Sequence, residues 1–272
     1  MAPRLLMTCA ICFNGLPAQA ATSPKPEGSP SGGRGQHALS VSLDLTFADK
    51  DYGRPLRVFG PVLQQSINIE YRFTHLGTIG LNSWGDLELT NKNGHAGRYV
   101  EWDTSAYWRH DIRRAGSLEL GYIRFDYPED RSSPWTHEVY TKVRIKLLLS
   151  PSFAAYRDVG PYEGWYLRTG VGHRFALDGL FGDITRDLSL ELGSNVTWGD
   201  DRTIRRFFLH SDNRSGASFI GASETGTLNI PLHRSGSFSG TLSPYCTLLE
   251  RIASTAHPRT SWVFGFTVNL SR

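Results

Sequence analysis

Apolar and polar side chains alternate with a period of two along most of the chain, from about residue 38 to residue 272. Because successive side chains of a β-strand point to opposite faces, this pattern predicts strands rather than helices. Twelve such segments can be counted, and no helical periodicity of useful length interrupts them. In the clearest segment, Val139, Val143, Ile145, Leu147 and Leu149 oppose Glu138, Tyr140, Lys142, Arg144 and Lys146.

One segment departs from strict alternation. In residues 117–127 the apolar positions change phase around Gly121. A β-bulge adds one residue to a strand and so moves the following side chains to the other face. We therefore expect a β-bulge at Gly121.

Two environments could explain why each strand has one apolar face and one polar face. A soluble β protein turns its apolar faces inward, whereas an outer-membrane barrel turns them to lipid and lines its lumen with the polar faces. The segments are roughly 9 to 13 residues long, longer than the ~5–6 residues of ordinary strands. Five of the seven Trp lie on apolar faces at or near strand ends, as in an aromatic girdle: Trp102, Trp108, Trp165, Trp198 and Trp262. These features favour the membrane barrel, with a secreted soluble β protein as the alternative.

The connections alternate in length. Residues 49–60, 91–97, 128–135, 200–216 and 250–260 form the longer set, and residues 74–78, 149–152 and 233–236 the shorter one. Residues 176–186 are longer than this scheme expects. Outer-membrane barrels have long extracellular loops and short periplasmic turns. The sequence thus predicts an all-β fold, an antiparallel up-and-down transmembrane β-barrel of about twelve strands over residues 38–272.

The N-terminal segment has the features of an export signal. One Arg precedes an apolar run, and Ala18-Gln19-Ala20 forms a cleavage site, so residues 1–20 are predicted to be a cleavable signal peptide. Residues 21–37 are rich in Pro, Gly and Ser and are predicted to be a disordered periplasmic leader. Cleavage would leave Cys246 as the single cysteine, too few for a disulfide.

The composition and the spacing of the histidines argue against several classes of function. A net charge of +3 without a basic run does not favour nucleic-acid binding. The nine His show no i, i+2 or i, i+4 pair, so neither a metal site nor a cofactor is predicted. His137 and His173 fall on apolar faces without a partner for nucleophilic catalysis, and an outer-membrane hydrolase is the least favoured function.

Several segments together resemble a known family. "PVLQQSINIEYRF", "GLNSWGDLELT", "WDTSAYWR", "GYIRFDYP" and "GWYLRTGVGHRF" are similar to segments of proteobacterial outer-membrane β-barrel proteins of the TorF-type porin family. The resemblance covers most of residues 40–180 and weakens between about 200 and 235. It implies a barrel with a porin-like function and does not identify a solute.

The polar faces define the predicted lumen. Acidic residues come from the first four segments and include Asp44 and Glu70, whereas the basic ones come from the sixth and eighth. The residues predicted to contact solutes are Trp84, Asp86, Glu88, Glu101, Asp103, Lys142, Arg144, Lys146, Arg168 and Arg174. Trp84 is the residue expected to narrow the lumen or stack on a solute. The charges could filter solutes in a transverse field, or neutralise one another in a plugged lumen.

The predicted function is therefore passage of small polar or charged solutes across the bacterial outer membrane. The expected partners are outer-membrane lipid, lipopolysaccharide, the barrel-assembly machinery and the solutes themselves. Arg202, Arg205 and Arg206 in the basic connection 200–216 could contact lipopolysaccharide phosphates, or the connection could be an ordinary loop. The alternative function is a closed, non-conducting envelope barrel with a structural or interaction role.

Overall fold

The computed structural model describes residues 38–50, 52–53, 57–58, 60–91, 94–129, 135–177, 187–207, 218–235, 238–251 and 260–272. The predicted signal peptide and leader, residues 1–37, lie outside the described residues, as does most of the basic connection between residues 200 and 216.

Twelve antiparallel strands form a closed barrel, which confirms the predicted fold class. Its strands are β1 Ala38–Ala48, β4 Val62–Phe73, β5 Gly77–Glu88, β6 Tyr99–Ile112, β7 Gly116–Asp126, β8 Trp135–Ile145, β9 Ser152–Asp158, β10 Trp165–Ala176, β11 Ser189–Gly199, β12 Ser218–Ser235, β13 Phe238–Arg251 and β14 Thr260–Ser271. Two short strands, β2 Tyr52–Gly53 and β3 Arg57–Val58, pair within the first connection, and one short helix, α1 Asp201–Phe207, follows β11.

Each strand pairs with its neighbours in the chain, and β1 closes the barrel against β14. In the closing pair, Ser42–Ala48 lies alongside Gly265–Ser271. Closure removes the free strand edges that would otherwise bind other chains. Most of the longer connections lie at one end, which we call extracellular. Both ends of the barrel-forming segment lie at the other, periplasmic end, where the β10–β11 connection is the one long exception.

The outer surface of the barrel is apolar. Exposed side chains on this surface include Val41, Leu45, Phe47, Ile67, Ile69, Ile79, Leu81, Val139, Phe153, Val171, Leu192 and Phe266. Trp102, Trp135, Trp165 and Trp262 are exposed near the extracellular ends of their strands. An apolar band flanked by aromatic side chains matches the lipid-facing surface of a transmembrane barrel. Among the described residues, no helix is long and apolar enough to cross a bilayer.

A charge placed in this band is expected to destabilise the folded barrel according to its depth. Leu81 is exposed in the middle of β5, whereas Leu39 is exposed next to the periplasmic end of β1. We expect Leu81→Arg to cost ~2–4 kcal/mol of folding free energy in a bilayer and Leu39→Arg only ~0–1 kcal/mol. Urea unfolding in lipid vesicles, followed by Trp fluorescence, measures both. Equal costs for the two variants would contradict the assigned bilayer position.

The predicted β-bulge at Gly121 is wrong. Gly121 stays in register with Tyr107 of β6 and with Tyr140 of β8, and neither ladder shifts along β7. The apolar residues change face there because the side chain of Phe125 points into the barrel. Arg124 and Asp126 form an exposed ion pair on the outside. Register shifts occur instead near Asp86, Thr197 and Pro231.

Strand β8 ends at Ile145, four residues before the end of the predicted segment, Leu149. Because β9 has only seven residues, the β8–β9 turn lies beside β10 where a longer β9 would have paired. The Gly172 N–H donates to Leu149 O at 2.8 Å, and His173 Nδ1 donates to Leu148 O at 2.8 Å. The exposed Leu147, Leu148 and Leu149 thus extend the apolar outer surface at this turn.

Candidate functional site

The inner wall carries nearly all the residues predicted to contact solutes. Trp84, Asp86 and Glu88 on β5, and Glu101 and Asp103 on β6, are buried inside the barrel. The alternation of β8 and β10 likewise directs Lys142, Arg144, Arg168 and Arg174 inward. Lys146 lies beyond the end of β8, at the periplasmic rim, where its Nζ donates to Arg113 O at 3.0 Å.

The acidic residues predicted to contact solutes lie nearer the extracellular end of the barrel than most of the basic ones. Six carboxylates lie near the extracellular ends of their strands and are between 0% and 7% exposed: Asp86, Glu88, Glu101, Asp103, Glu138 and Asp158. Lys142, Arg144 and Arg174 lie towards the periplasmic ends. Glu138 and Asp158 were not among the predicted site residues, although the alternation of β8 places Glu138 inward. The lumen therefore has an acidic extracellular half.

Trp84 is only 4% exposed. It lies between Ser66 of β4 and Asp103 of β6 in the inner wall. Such a buried ring narrows the barrel by its bulk and has little free surface on which a solute could stack.

A network of alternating charges crosses four strands of the inner wall. Arg109 Nη2 donates to both carboxylate oxygens of Glu70 at 2.9 Å, and Arg109 Nη1 lies 3.8 Å from Glu119. Lys142 Nζ donates to Glu119 Oε1 at 3.2 Å. The Tyr107 hydroxyl donates to Glu70 at 2.6 Å, and the Tyr140 hydroxyl donates to Glu119 at 3.0 Å. Because two acids and two bases alternate, the network is neutral and holds β4, β6, β7 and β8 together.

Tyrosine side chains from neighbouring strands lie in one row across the inner wall, at positions that are cross-strand partners. The row passes from Gly80 through Tyr107, Gly121 and Tyr140 to Tyr156 and Tyr166. The rings of Tyr107 and Tyr140 lie over Gly80 and Gly121, so a Cβ at either glycine would come within 2.2–2.4 Å of a ring carbon. The Tyr156 ring lies 5.6 Å from that of Tyr140 and 5.7 Å from that of Tyr166. These rings therefore lie along the wall instead of projecting across the lumen.

The wall between β10 and β11 is nearly bare. Gly172 and Gly193 are cross-strand partners on the inner face. A Cβ at Gly172 would meet only Leu192 O at 3.4 Å and Gly193 Cα at 3.9 Å, and a Cβ at Gly193 only Val171 O at 3.7 Å. All three atoms belong to the same wall. No other described atom lies within 4 Å of either Cβ position, so nothing described packs against this strip of the inner wall.

The extracellular half is more tightly packed. Phe125, Tyr127 and Ile220 are almost fully buried, together with Ile204 of α1. Helix α1 is held at the barrel mouth, because Thr203 N donates to Asp200 Oδ1 and Thr203 Oγ1 donates to Trp165 O, both at 2.9 Å. A second buried cluster contains Ala48, Val62, Tyr245, Leu249 and Val263. These groups narrow the barrel at its extracellular end.

Asp158 fixes the neighbouring extracellular connection between β9 and β10. Its carboxylate accepts a hydrogen bond from Thr136 Oγ1 at 2.6 Å and another from Gly160 N at 2.8 Å. It also accepts from the backbone N–H groups of Tyr162 and Glu163, both at 3.3 Å. This loop is thus a fixed part of the rim.

The two histidines considered for catalysis face away from the lumen. His137 stacks on Tyr122, and His173 packs against Phe175, both on the outer surface. Within the described part of the chain, no three His, Cys, Asp or Glu side chains are grouped so that they could hold a metal ion.

Neither a protein-family model nor a curated protein matches the sequence, so the resemblance to TorF-type porins stays a prediction. Among solved structures, the chain is similar to the KdgM porin, at 14% identity over 85% of this chain and 97% of that chain, with a TM-score of 0.46. It is similar to the NanC porin, at 8% identity over 84% and 98%, with a TM-score of 0.49. It is also similar to an outer membrane channel from Pseudomonas putida F1, at 10% identity over 90% and 100%, with a TM-score of 0.49.

Proposed function

We propose that this protein is a porin-like channel of the bacterial outer membrane that passes small polar or charged solutes. The observation that carries the proposal is the bare strip of the inner wall at Gly172 and Gly193, where no described side chain from elsewhere in the barrel packs. Arg144 is exposed inside the barrel, and Arg168 and Arg174 follow the inner face of β10. A lumen lined with polar and charged side chains favours passage of hydrated solutes over apolar ones.

The charged wall also suggests how solutes are selected. No described carboxylate lies within 4 Å of the guanidinium of Arg144 or Arg168, although Glu191 attracts Arg144 at longer range, whereas Arg109 and Lys142 are paired with Glu70 and Glu119. Arg144 attracts anions in the periplasmic part of the lumen, and the acidic extracellular half attracts cations. We therefore propose that the channel orients solutes carrying both charges during passage.

The packing of the extracellular half favours a second candidate function, a closed barrel with a structural or interaction role. Buried Phe125, Ile204 and Ile220 narrow the lumen there. Planar-bilayer recordings separate the two functions. We expect refolded protein to give discrete channel openings in salt solution. Protein that is folded in vesicles yet gives no openings would support the closed barrel and contradict the channel.

Reversing a lumen charge is expected to change ion selectivity. Arg144→Glu and Arg168→Glu each replace a cation on the inner wall by an anion, so the reversal potential in a salt gradient should shift towards cation selectivity. Lys146→Glu is the matched control, because Lys146 lies at the rim and is hydrogen-bonded to Arg113 O. We expect a clearly smaller shift for this control. Identical reversal potentials in all three variants and the wild type would show that β8 and β10 do not line the conducting path.

A further inference from the structure

A groove of about 430 Å³ opens at the periplasmic rim of the barrel, beside the β4–β5 turn. It is lined by Phe73, His75, Leu76, Ile79, Trp108 and His110. Ile79 and Trp108 are cross-strand partners on the apolar outer face, so the groove faces the bilayer and not the lumen. Its volume falls within the ~300–1,000 Å³ of small-molecule sites.

The groove is preformed by contacts between its own walls. Trp108 Nε1 donates to Leu76 O at 2.6 Å, which ties the turn to β6. The rings of Trp108 and His110 stack at 5.6 Å, and those of Tyr71 and Phe73 meet edge to face at 4.8 Å. Gly77 allows the turn to bend back, with φ of 89°. A ligand entering this groove would lose little binding energy to rearrangement of the protein.

The two parts of the groove differ in chemistry. Phe73, Ile79 and Trp108 provide an apolar floor that continues into the lipid-facing surface. At the rim, the imidazole of His75 is exposed, and the buried Nδ1 of His110 has no hydrogen-bond partner among the described residues. The adjacent β6–β7 turn carries the exposed Arg113 and Arg114. The groove therefore joins an apolar floor to a polar end that favours a negatively charged group.

We infer that this groove binds one anionic phospholipid of the periplasmic leaflet, with an acyl chain on the apolar floor and the phosphate beside the histidines and arginines. Its continuity with the lipid-facing surface gives an acyl chain direct access. Basic residues near a membrane surface favour anionic headgroups by ~1 kcal/mol each. Free phosphate would leave the floor uncovered, and lipopolysaccharide occupies the opposite leaflet. The inference does not depend on whether the barrel conducts.

Native mass spectrometry of the refolded protein in detergent, titrated with phosphatidylglycerol or phosphatidylcholine, tests this site. We expect one phosphatidylglycerol to be retained about five-fold more tightly than phosphatidylcholine, which corresponds to ~1 kcal/mol. His110→Phe keeps an aromatic ring next to Trp108 but removes both ring nitrogens, so this preference should fall. Equal retention of the two lipids by the wild-type protein would overturn the assignment.

Filling the groove provides the second measurement. Ile79→Trp adds a large ring to its floor, whereas Ile67→Trp adds the same ring to the outer face of β4, away from the groove. We expect the first variant to lose the retained lipid and the second to keep it. The shift in gel mobility on heating confirms that both variants are folded. Retention unchanged in a folded Ile79→Trp variant would place the lipid elsewhere and overturn the inference.

Discussion

Replacing Gly80 by alanine is expected to destabilise the barrel by about 1–3 kcal/mol, the usual cost of overpacking a filled site. The new Cβ would lie 2.2 Å from Cζ of Tyr107. The ring cannot easily move aside, because its hydroxyl donates to Glu70 at 2.6 Å. The result runs against the ordinary effect, since alanine is usually more favourable than glycine within a strand by ~0.5–1 kcal/mol.

Gly172→Ala is the matched control, because its Cβ meets no atom closer than 3.4 Å. We expect this variant to be as stable as the wild type or slightly more stable. Urea unfolding in lipid vesicles gives the free energies. Since Gly80 and Tyr107 contact each other, the double variant Gly80→Ala/Tyr107→Ala should cost less than the sum of its single changes. Additive costs would show that the ring does not lie over Gly80.

Removing the carboxylate of Glu70 is the second change for which we expect a large effect. Glu70→Gln replaces a bidentate partner of Arg109 and a charged acceptor of Tyr107. Hydrogen bonds to charged groups contribute ~1.5–3 kcal/mol, so we expect a loss of about 2–3 kcal/mol. It should also make the lumen more anion-selective, because Arg109 keeps only the longer, 3.8 Å contact with Glu119.

A double-mutant cycle measures the interaction between Glu70 and Arg109 separately from their contacts with other residues. If Arg109 and Glu70 interact as described, Glu70→Gln/Arg109→Gln should be more stable than additivity predicts. Asp126→Asn is the control, because it breaks the exposed ion pair with Arg124, and we expect an unchanged unfolding midpoint. A zero coupling energy between Glu70 and Arg109 would argue against the network as a brace between β4 and β6.

The strand faces could be predicted because a membrane barrel imposes the same rule on every strand. Val139 and Glu138 were assigned to opposite faces from alternation alone, and the structure places them so. Alternation predicted the wrong structure where a residue that faces the inside of the barrel is apolar. Phe125 packs inside the narrowed extracellular half, and its position was misread as a bulge at Gly121.

The tyrosine row could not be predicted in the same way. Tyr107, Tyr140 and Tyr156 stand far apart in the sequence, and their alignment depends on the register between strands. Alternation assigns a face to a residue but gives no cross-strand partner, because register depends on turn geometry. The neutral network of Glu70, Arg109, Glu119 and Lys142 was missed for the same reason. Alternation placed many of the charges on the lumen face and could not show which of them pair.

The closing pair of strands has a consequence for the order of folding. Thr46 and Thr267 hydrogen-bond at 2.8 Å across the β1–β14 contact although they are 221 positions apart. Every other neighbouring pair in the barrel joins consecutive strands. Bringing distant segments together costs the most chain entropy, so hairpins of consecutive strands form more readily than this contact. We therefore expect β1 and β14 to meet last, leaving two unpaired strand edges to be protected until the final hydrogen bonds form.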